Sequence, residues 1–265
     1  MLIDTHCHLD ASEFDKDRDS VALAALESGV SVIVVPAVER ENFERVSRLA
    51  GQHAHCAMAL GIHPLYVNHA QTEDLSQLAD LVKKERPVAI GEIGLDFFVE
   101  GFNREQQEYY FVEQLELARQ FDLPVILHVR RAIDDILKHL RRFKVKGGIA
   151  HAFNGSRQQA DEFIRLGFKL GFGGAMTYPR ASKIRELAAT LPLEAIVLET
   201  DAPDIPPEWV GSHGRNSPDQ LPKIAQVLAD LRGLKLTQVA EITTQNAFNV
   251  LPKLADLYTP AHVPH

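Results

Sequence analysis

The stretch Leu2-Ile3-Asp4-Thr5-His6-Cys7-His8-Leu9-Asp10 decides the fold. A short apolar run leads straight into two histidines separated by one residue. An open, doubly wound nucleotide-binding sheet would carry a glycine-rich fingerprint at this turn after its first strand. Here the turn holds metal-binding side chains instead. Strand alternation predicts that His6 and His8 share one face with Asp4 below them, and that Cys7 turns away as a small packing residue.

Seven further apolar or β-branched runs follow: Ser31 to Val35, Ala57 to Gly61, Val88 to Glu92, Val125 to His128, Gly148 to His151, Phe168 to Phe172 and Ile196 to Thr200. With Leu2 to His6 they make eight, each followed by a helical pattern, and this alternation predicts an α/β fold of the TIM (β/α)8 barrel type. The stripe Phe111, Leu115, Ala118 and Phe121 marks one amphipathic helix. A second, Leu221, Ile224, Ala225, Leu228 and Leu231, ends before Gly233. Pro87 and Pro124 stand just before the fourth and fifth runs, where a missing backbone donor is tolerated. With no linker in view, residues 1–265 read as a single barrel domain with a C-terminal tail from about 255.

Composition narrows the function. A hydrophobic share of 45% contains no apolar run long enough to cross a bilayer, and the N-terminus has no basic, signal-like segment, so a cytoplasmic protein without a membrane partner is expected. The two cysteines, Cys7 and Cys56, lack CxxC spacing, which argues against disulfides and thiolate zinc sites. A formal charge of -8 argues against a broad basic surface but permits a local positive cleft around divalent cations. No obligatory protein partner is evident.

In such a barrel the chemistry sits where the carboxyl ends of the strands meet. Those ends supply His6 and His8, His63, Glu92 with Asp96, His128 with Arg130, His151, and Glu199 with Asp201. Five of the twelve histidines fall there, whereas His53, His55, His69, His139, His213, His262 and His265 read as surface or loop residues. Imidazoles mixed with carboxylates suit zinc or manganese better than calcium, and two divalent ions (zinc, manganese or magnesium) are expected. Glu92, with two oxygens, is the natural bridge between an ion at His6, His8 and Asp201 and another at His128 and His151. Asp201 can also take the proton of an attacking water. Glu199 is either an orienting group or half of a buried ion pair. His63 is either a proton donor or phosphate ligand for the leaving group, or a loop anchor. Arg130, outward of His128 on the same strand face, suits a phosphate oxygen or a carboxylate. Arg215 and Asn216 either close the mouth over a substrate or simply belong to an exposed turn. The run Gly171-Phe172-Gly173-Gly174 ends the seventh strand with space, either for a substrate or for close helix packing.

The runs Ile3-Asp4-Thr5-His6-Cys7-His8-Leu9-Asp10, Gly61-Ile62-His63-Pro64, Gly91-Glu92-Ile93-Gly94-Leu95-Asp96, Pro124 to Arg130, His151-Ala152-Phe153-Asn154-Gly155 and Leu198-Glu199-Thr200-Asp201-Ala202-Pro203 together resemble the TatD-type metal-dependent hydrolases, within the wider amidohydrolase-like barrels. The resemblance extends over essentially the whole chain. It implies a TIM barrel, a divalent-metal requirement and deoxyribonuclease activity, commonly removal of nucleotides from a 3′ end. It also places metal ligands at His6, His8, Glu92, His128, His151 and Asp201. Ala152-Phe153 departs mildly from the Cys-Phe common in the family and touches no ligand position. The leading expectation is therefore a phosphodiesterase acting on DNA. A small-molecule amidohydrolase or lactonase on the same metal centre is the alternative. A non-catalytic scaffold could lose ligands, and this chain keeps all six.

Overall fold

The computed structural model describes residues 1–257; the rest of the expected tail, with His262 and His265, lies outside the described residues. Eight strands, β1 (Leu2–Asp4), β2 (Val30–Pro36), β3 (Cys56–Leu60), β4 (Ala89–Asp96), β5 (Val125–Arg130), β6 (Gly148–Ala150), β7 (Phe168–Phe172) and β8 (Ile196–Leu198), form one parallel sheet in chain order. Between and after them run α1 (Arg18–Glu27), α2 (Arg40–Gln52), α3 (Thr72–Glu85), α4 (Arg104–Gln120), α5 (Ile133–Phe143), α6 (Arg157–Arg165), α7 (Ser182–Thr190), α8 (Leu221–Arg232), α9 (Leu236–Val250) and α10 (Leu254–Leu257). This is the expected (β/α)8 architecture, wound so that the first and last strands meet.

The seam between β8 and β1 is closed just beyond the strands by the histidine segment itself. Thr5 N donates to Leu198 O, Asp201 N to His6 O, and His8 N to Ala202 O, at 3.1, 2.8 and 2.8 Å. Side chains reinforce it: Thr200 donates through its N–H and its hydroxyl to the Asp4 carboxylate, at 2.9 and 2.6 Å.

Alternation sorts the strand residues into two layers. Ile3, Val32, Val34, Ala57, Ala59, Ala89, Ile126, Ile149 and Val197 fill the barrel interior. Leu2, Ile33, Val35, Val125, Leu127, Leu170, Ile196 and Leu198 pack outward beneath the helices. Burying both faces is why these strands are apolar almost throughout. The interior is plugged from below by Ala247, Val250, Leu251 and Leu254 at the end of α9 and the start of α10. Asn246 fixes that plug by donating to Leu193 O and Ile196 O, and Lys253 by donating to Pro87 O, so polar bonds hold it to the amino ends of the strands.

The interior alternation also corrects one expectation. Ile3 points inward, so unbroken alternation would send His6 and His8 outward with Leu2. Instead β1 stops at Asp4 and the chain bends at Thr5, which swings both histidines over the barrel mouth. Asp4 does not lie beneath them as a companion ligand: its carboxylate is spent on the seam.

Candidate metal centre

Glu92 lies at the centre of the site, 1% exposed and in the stretch of β4 where the register against β5 shifts. Its two oxygens face different partners. Oε2 lies 3.2 Å from His6 Nε2 and 3.3 Å from His8 Nε2. Oε1 lies 3.0 Å from His128 Nδ1, 3.0 Å from His151 Nε2 and 3.4 Å from His63 Nε2. Asp201 Oδ1 approaches His6 and His8 at 3.5 and 3.7 Å from the opposite side. The structure therefore brings together all seven of His6, His8, His63, Glu92, His128, His151 and Asp201, drawn from six strand ends.

Local backbone explains how they converge. His128 and His151 continue the inward phase of Ile126 and Ile149, so alternation alone aims them into the mouth. Gly94 has φ +151° and a side chain there would strike the carbonyl of His128, so only glycine lets β4 lie close enough to present Glu92 and Asp96 together. Asp201 and Ala152 take left-handed backbone at φ +57° and +44°. Such conformations cost on the order of 1–3 kcal/mol for a non-glycine residue and concentrate at functional sites. The Asp201 turn points its carboxylate back toward His6 and His8. The Ala152 turn directs its N–H to Glu199 Oε1.

Hydrogen bonds assign the imidazole nitrogens. Leu65 N donates to His63 Nδ1 at 3.1 Å, so the proton of a neutral His63 ring sits on Nε2 and makes that nitrogen a donor. His128 behaves oppositely: Nε2 faces Asp96 Oδ2 at 3.0 Å and leaves Nδ1 for the centre. His151 turns Nε2 to the centre, while its Nδ1 faces Glu199 Oε1 at 3.7 Å, beyond hydrogen-bond distance. Carboxylates behind metal-facing imidazoles fix ring orientation and raise basicity.

The charge balance favours cations. Burial alone would raise Glu92, but His63, His6 and His151 outweigh it and hold the carboxyl well below its usual range. Burial lowers His8, yet Glu92 and Asp201 overcome it and lift the ring to about 9. His128 and His151 are likewise raised against their burial, by Asp96 with Glu92 and by Glu92 with Asp201 respectively. Burial pushes His6 down to about 3 and His63 down to about 4. Burial lifts Asp201 up to about 6. The carboxylates thus demand positive charge at the spot where four imidazole nitrogens and three carboxylate oxygens converge. That donor set fits borderline divalent metals. Among the described residues, three groupings with metal-holding geometry occur here: His6, Glu92 and His151; His6, His8 and Asp201; His63, Glu92 and His128.

Of the other expected site residues, Arg130 stays at the mouth, whereas Arg215 and Asn216 are put to different uses. Arg130 is exposed at the mouth with its guanidinium 3.8 Å from the Phe98 ring centre. Arg215 does not reach over the mouth: it grips both oxygens of Asp17 at 2.8 and 2.6 Å and lies over Phe14, so its fork is already occupied. Asn216 is fully buried, and its amide donates to Thr200 O, Asp204 O and Ile205 O, which holds the loop after β8 from inside. Gly171 leaves no opening for a substrate; a side chain there would occupy the place of the Glu199 carboxylate.

Two residues of α4 escaped the sequence reading. Gln107 binds both the N–H and the carbonyl of Asp96, at 2.9 and 3.0 Å. Gln114 does the same for Ile62, next to His63, at 2.7 and 3.0 Å. Their signal was visible as two amides in phase with the apolar stripe of Phe111 and Ala118.

A barrel of this topology with a nitrogen-and-oxygen centre at its strand ends defines the class of metal-dependent barrel hydrolases. The chain belongs to the TatD related DNase family, whose model matches residues 3–252. It is similar to the metal-dependent hydrolase YjjV of Escherichia coli, 42% identical over 253 residues, covering 94% of this chain and 97% of the relative. The crystal structure of that TatD homologue superposes with a TM-score of 0.91 at 41% identity, covering 95% of this chain and 98% of the other. Human deoxyribonuclease TATDN3 is 32% identical over 269 residues, covering 97% of this chain and 96% of the relative. No helix among the described residues is long and apolar enough to cross a membrane.

Proposed function

We propose that this metal-dependent hydrolase is a deoxyribonuclease that cleaves phosphodiester bonds at DNA ends, and that the residues around Glu92 would hold two divalent ions. The observation that carries the reading is the division of the Glu92 oxygens, one facing His6 and His8 and the other facing His128 and His151. In this reading Glu92, His6, His8 and Asp201 would hold one ion, and Glu92, His128 and His151 would hold the other. Bound divalent ions supply Lewis-acid charge to a phosphoryl oxygen and lower the pKa of water.

The remaining work falls to side chains. Asp201 accepts the proton of the attacking water; it is the most exposed of the central carboxylates, with 12% of its side chain open to the mouth. His63 presents Nε2–H to the leaving oxygen, since Leu65 occupies Nδ1. Asp96 and Glu199 keep the rings of His128 and His151 turned inward, while Arg130 meets a phosphate at the rim. The human relative named a deoxyribonuclease adds support for DNA as substrate. The test is turnover by manganese-reconstituted protein on end-labelled single-stranded DNA beside a panel of lactones and amides. Progressive shortening of the DNA with the panel untouched is expected. Turnover of a lactone or amide with intact DNA would overturn the reading in favour of a small-molecule hydrolase.

A further inference from the structure

Phe98 sits at the mouth, in the loop after β4, with 43% of its surface exposed. An aromatic ring of that exposure gains little from packing, and its neighbours are unusual. The guanidinium carbons of Arg130 and Arg131 lie 3.8 and 4.5 Å from its ring centre. Both arginines are exposed, and neither has an ion-pair partner among the described residues. Arg131 also holds left-handed backbone, φ +54°, at the turn that leads from β5 into α5.

This trio is fixed to the metal centre by short links. Asp96, whose Oδ2 faces His128, accepts the N–H groups of Phe98 and Val99 on Oδ1 at 2.8 and 3.0 Å. Phe97 N donates to Arg130 O at 2.9 Å. One carboxylate therefore sets both a central imidazole and the aromatic loop, and Arg130 follows His128 by two residues on the same strand. Guanidinium planes stacked on a ring keep their N–H edges free, pointing outward where a backbone phosphate can meet them.

Resting on the deoxyribonuclease reading, we propose that Phe98, Arg130 and Arg131 form the platform that takes one unpaired nucleotide beside the bond to be cut. The base stacks on the layered ring and guanidinium surface, and the guanidinium edges bind its phosphate. Stacking needs an exposed flat surface, which a ring or a guanidinium plane can supply, and tolerates any base, while phosphate binding needs unpaired cations; the exposed Phe98 with Arg130 and Arg131 layered against it offers both.

The test uses single-stranded oligonucleotides carrying an abasic residue in turn at each of the three terminal positions, compared with the intact oligonucleotide. Manganese-loaded wild type should show a higher kcat/KM on the intact strand than on one of the abasic strands. In Phe98→Leu, which keeps an apolar side chain at this exposed site, that ratio should fall roughly 5- to 150-fold, the scale of losing one base–aromatic stack. Phe98→Tyr should restore it. A wild-type ratio near one at every position, or a ratio unchanged in Phe98→Leu, overturns the platform while leaving the deoxyribonuclease reading intact. If wild type cleaves none of the strands, that reading falls. Fluorescence anisotropy on the same strands then decides the platform alone: weaker binding of the intact strand by Phe98→Leu sustains it, and equal or absent binding overturns it.

Discussion

Asp201 stands where one carboxylate meets two demands. It faces His6 and His8 across 3.5 and 3.7 Å, and its burial raises it up to about 6, nearer to neutral pH than an ordinary carboxyl. A group so placed can bind a cation and still exchange a proton with water beside it. Asp201→Asn keeps the shape and removes both the charge and most of the basicity. Turnover should fall on the order of 10²-fold or more, the scale of a lost general base. Metal content, measured by elemental analysis, should persist at the His128 and His151 side. Near-normal turnover in a fully metallated variant would move the base to another group, with Glu199 first in line. At this scale the ligand residue types were readable in the sequence, because few other roles explain histidines and carboxylates gathered at successive strand ends. The left-handed turn that aims Asp201 was not, since φ +57° at a non-glycine residue depends on the contacts that hold it there.

At the level of elements, α4 does more than cover the barrel. Its buried face carries Gln107 and Gln114 among apolar neighbours, and each amide pairs with both backbone groups of a single residue in the site. Gln107→Leu would preserve volume and leave the N–H and carbonyl of Asp96 buried without partners. A loss of about 1–3 kcal/mol per unsatisfied group is the ordinary cost. Urea unfolding should therefore show a lower midpoint with an unchanged slope. An unaltered midpoint would mean that α4 holds β4 by apolar packing alone. The strand count and order were legible from the βα alternation, and every strand lies within about two residues of the expected limits except β4, which runs on past Glu92 to Asp96. The early end of β1 was not legible. Alternation continues on paper through Thr5 to His8, whereas the chain bends at Thr5 to bond with the far end of the molecule.

For the whole molecule, the centre joins residues from the first strand to the last, so metal binding should stabilise the entire barrel. A ligand at about 100 times its Kd adds about 2.7 kcal/mol to the folded state. In a chain of this size each kcal/mol moves the melting midpoint by roughly 2–4 °C. Chelation of the metal-loaded protein should thus lower the midpoint by roughly 5–10 °C, and manganese or zinc should restore it. Calorimetry showing no shift, with metal loss verified by elemental analysis, would mean that the imidazole and carboxylate cluster is folded equally well by its own protons and contributes nothing through cations.

Taken alone, the sequence determined the barrel and the imidazoles and carboxylates at its mouth, because both are written in local code: period-two apolar runs, helical stripes, and polar residues placed where the strands stop. Only the tertiary structure decided which groups those side chains face. Glu92 divides its oxygens between two sets of rings because β4 shifts register against β5. His63 becomes a donor because Leu65 occupies its other nitrogen. Arg215 and Asn216, a mouth on paper, are bound to Asp17 and to three backbone carbonyls. Phe98, with no periodic role in the sequence, stands exposed with two guanidinium groups against its ring. Each of these outcomes rests on contacts between residues far apart in the chain, which no local pattern encodes.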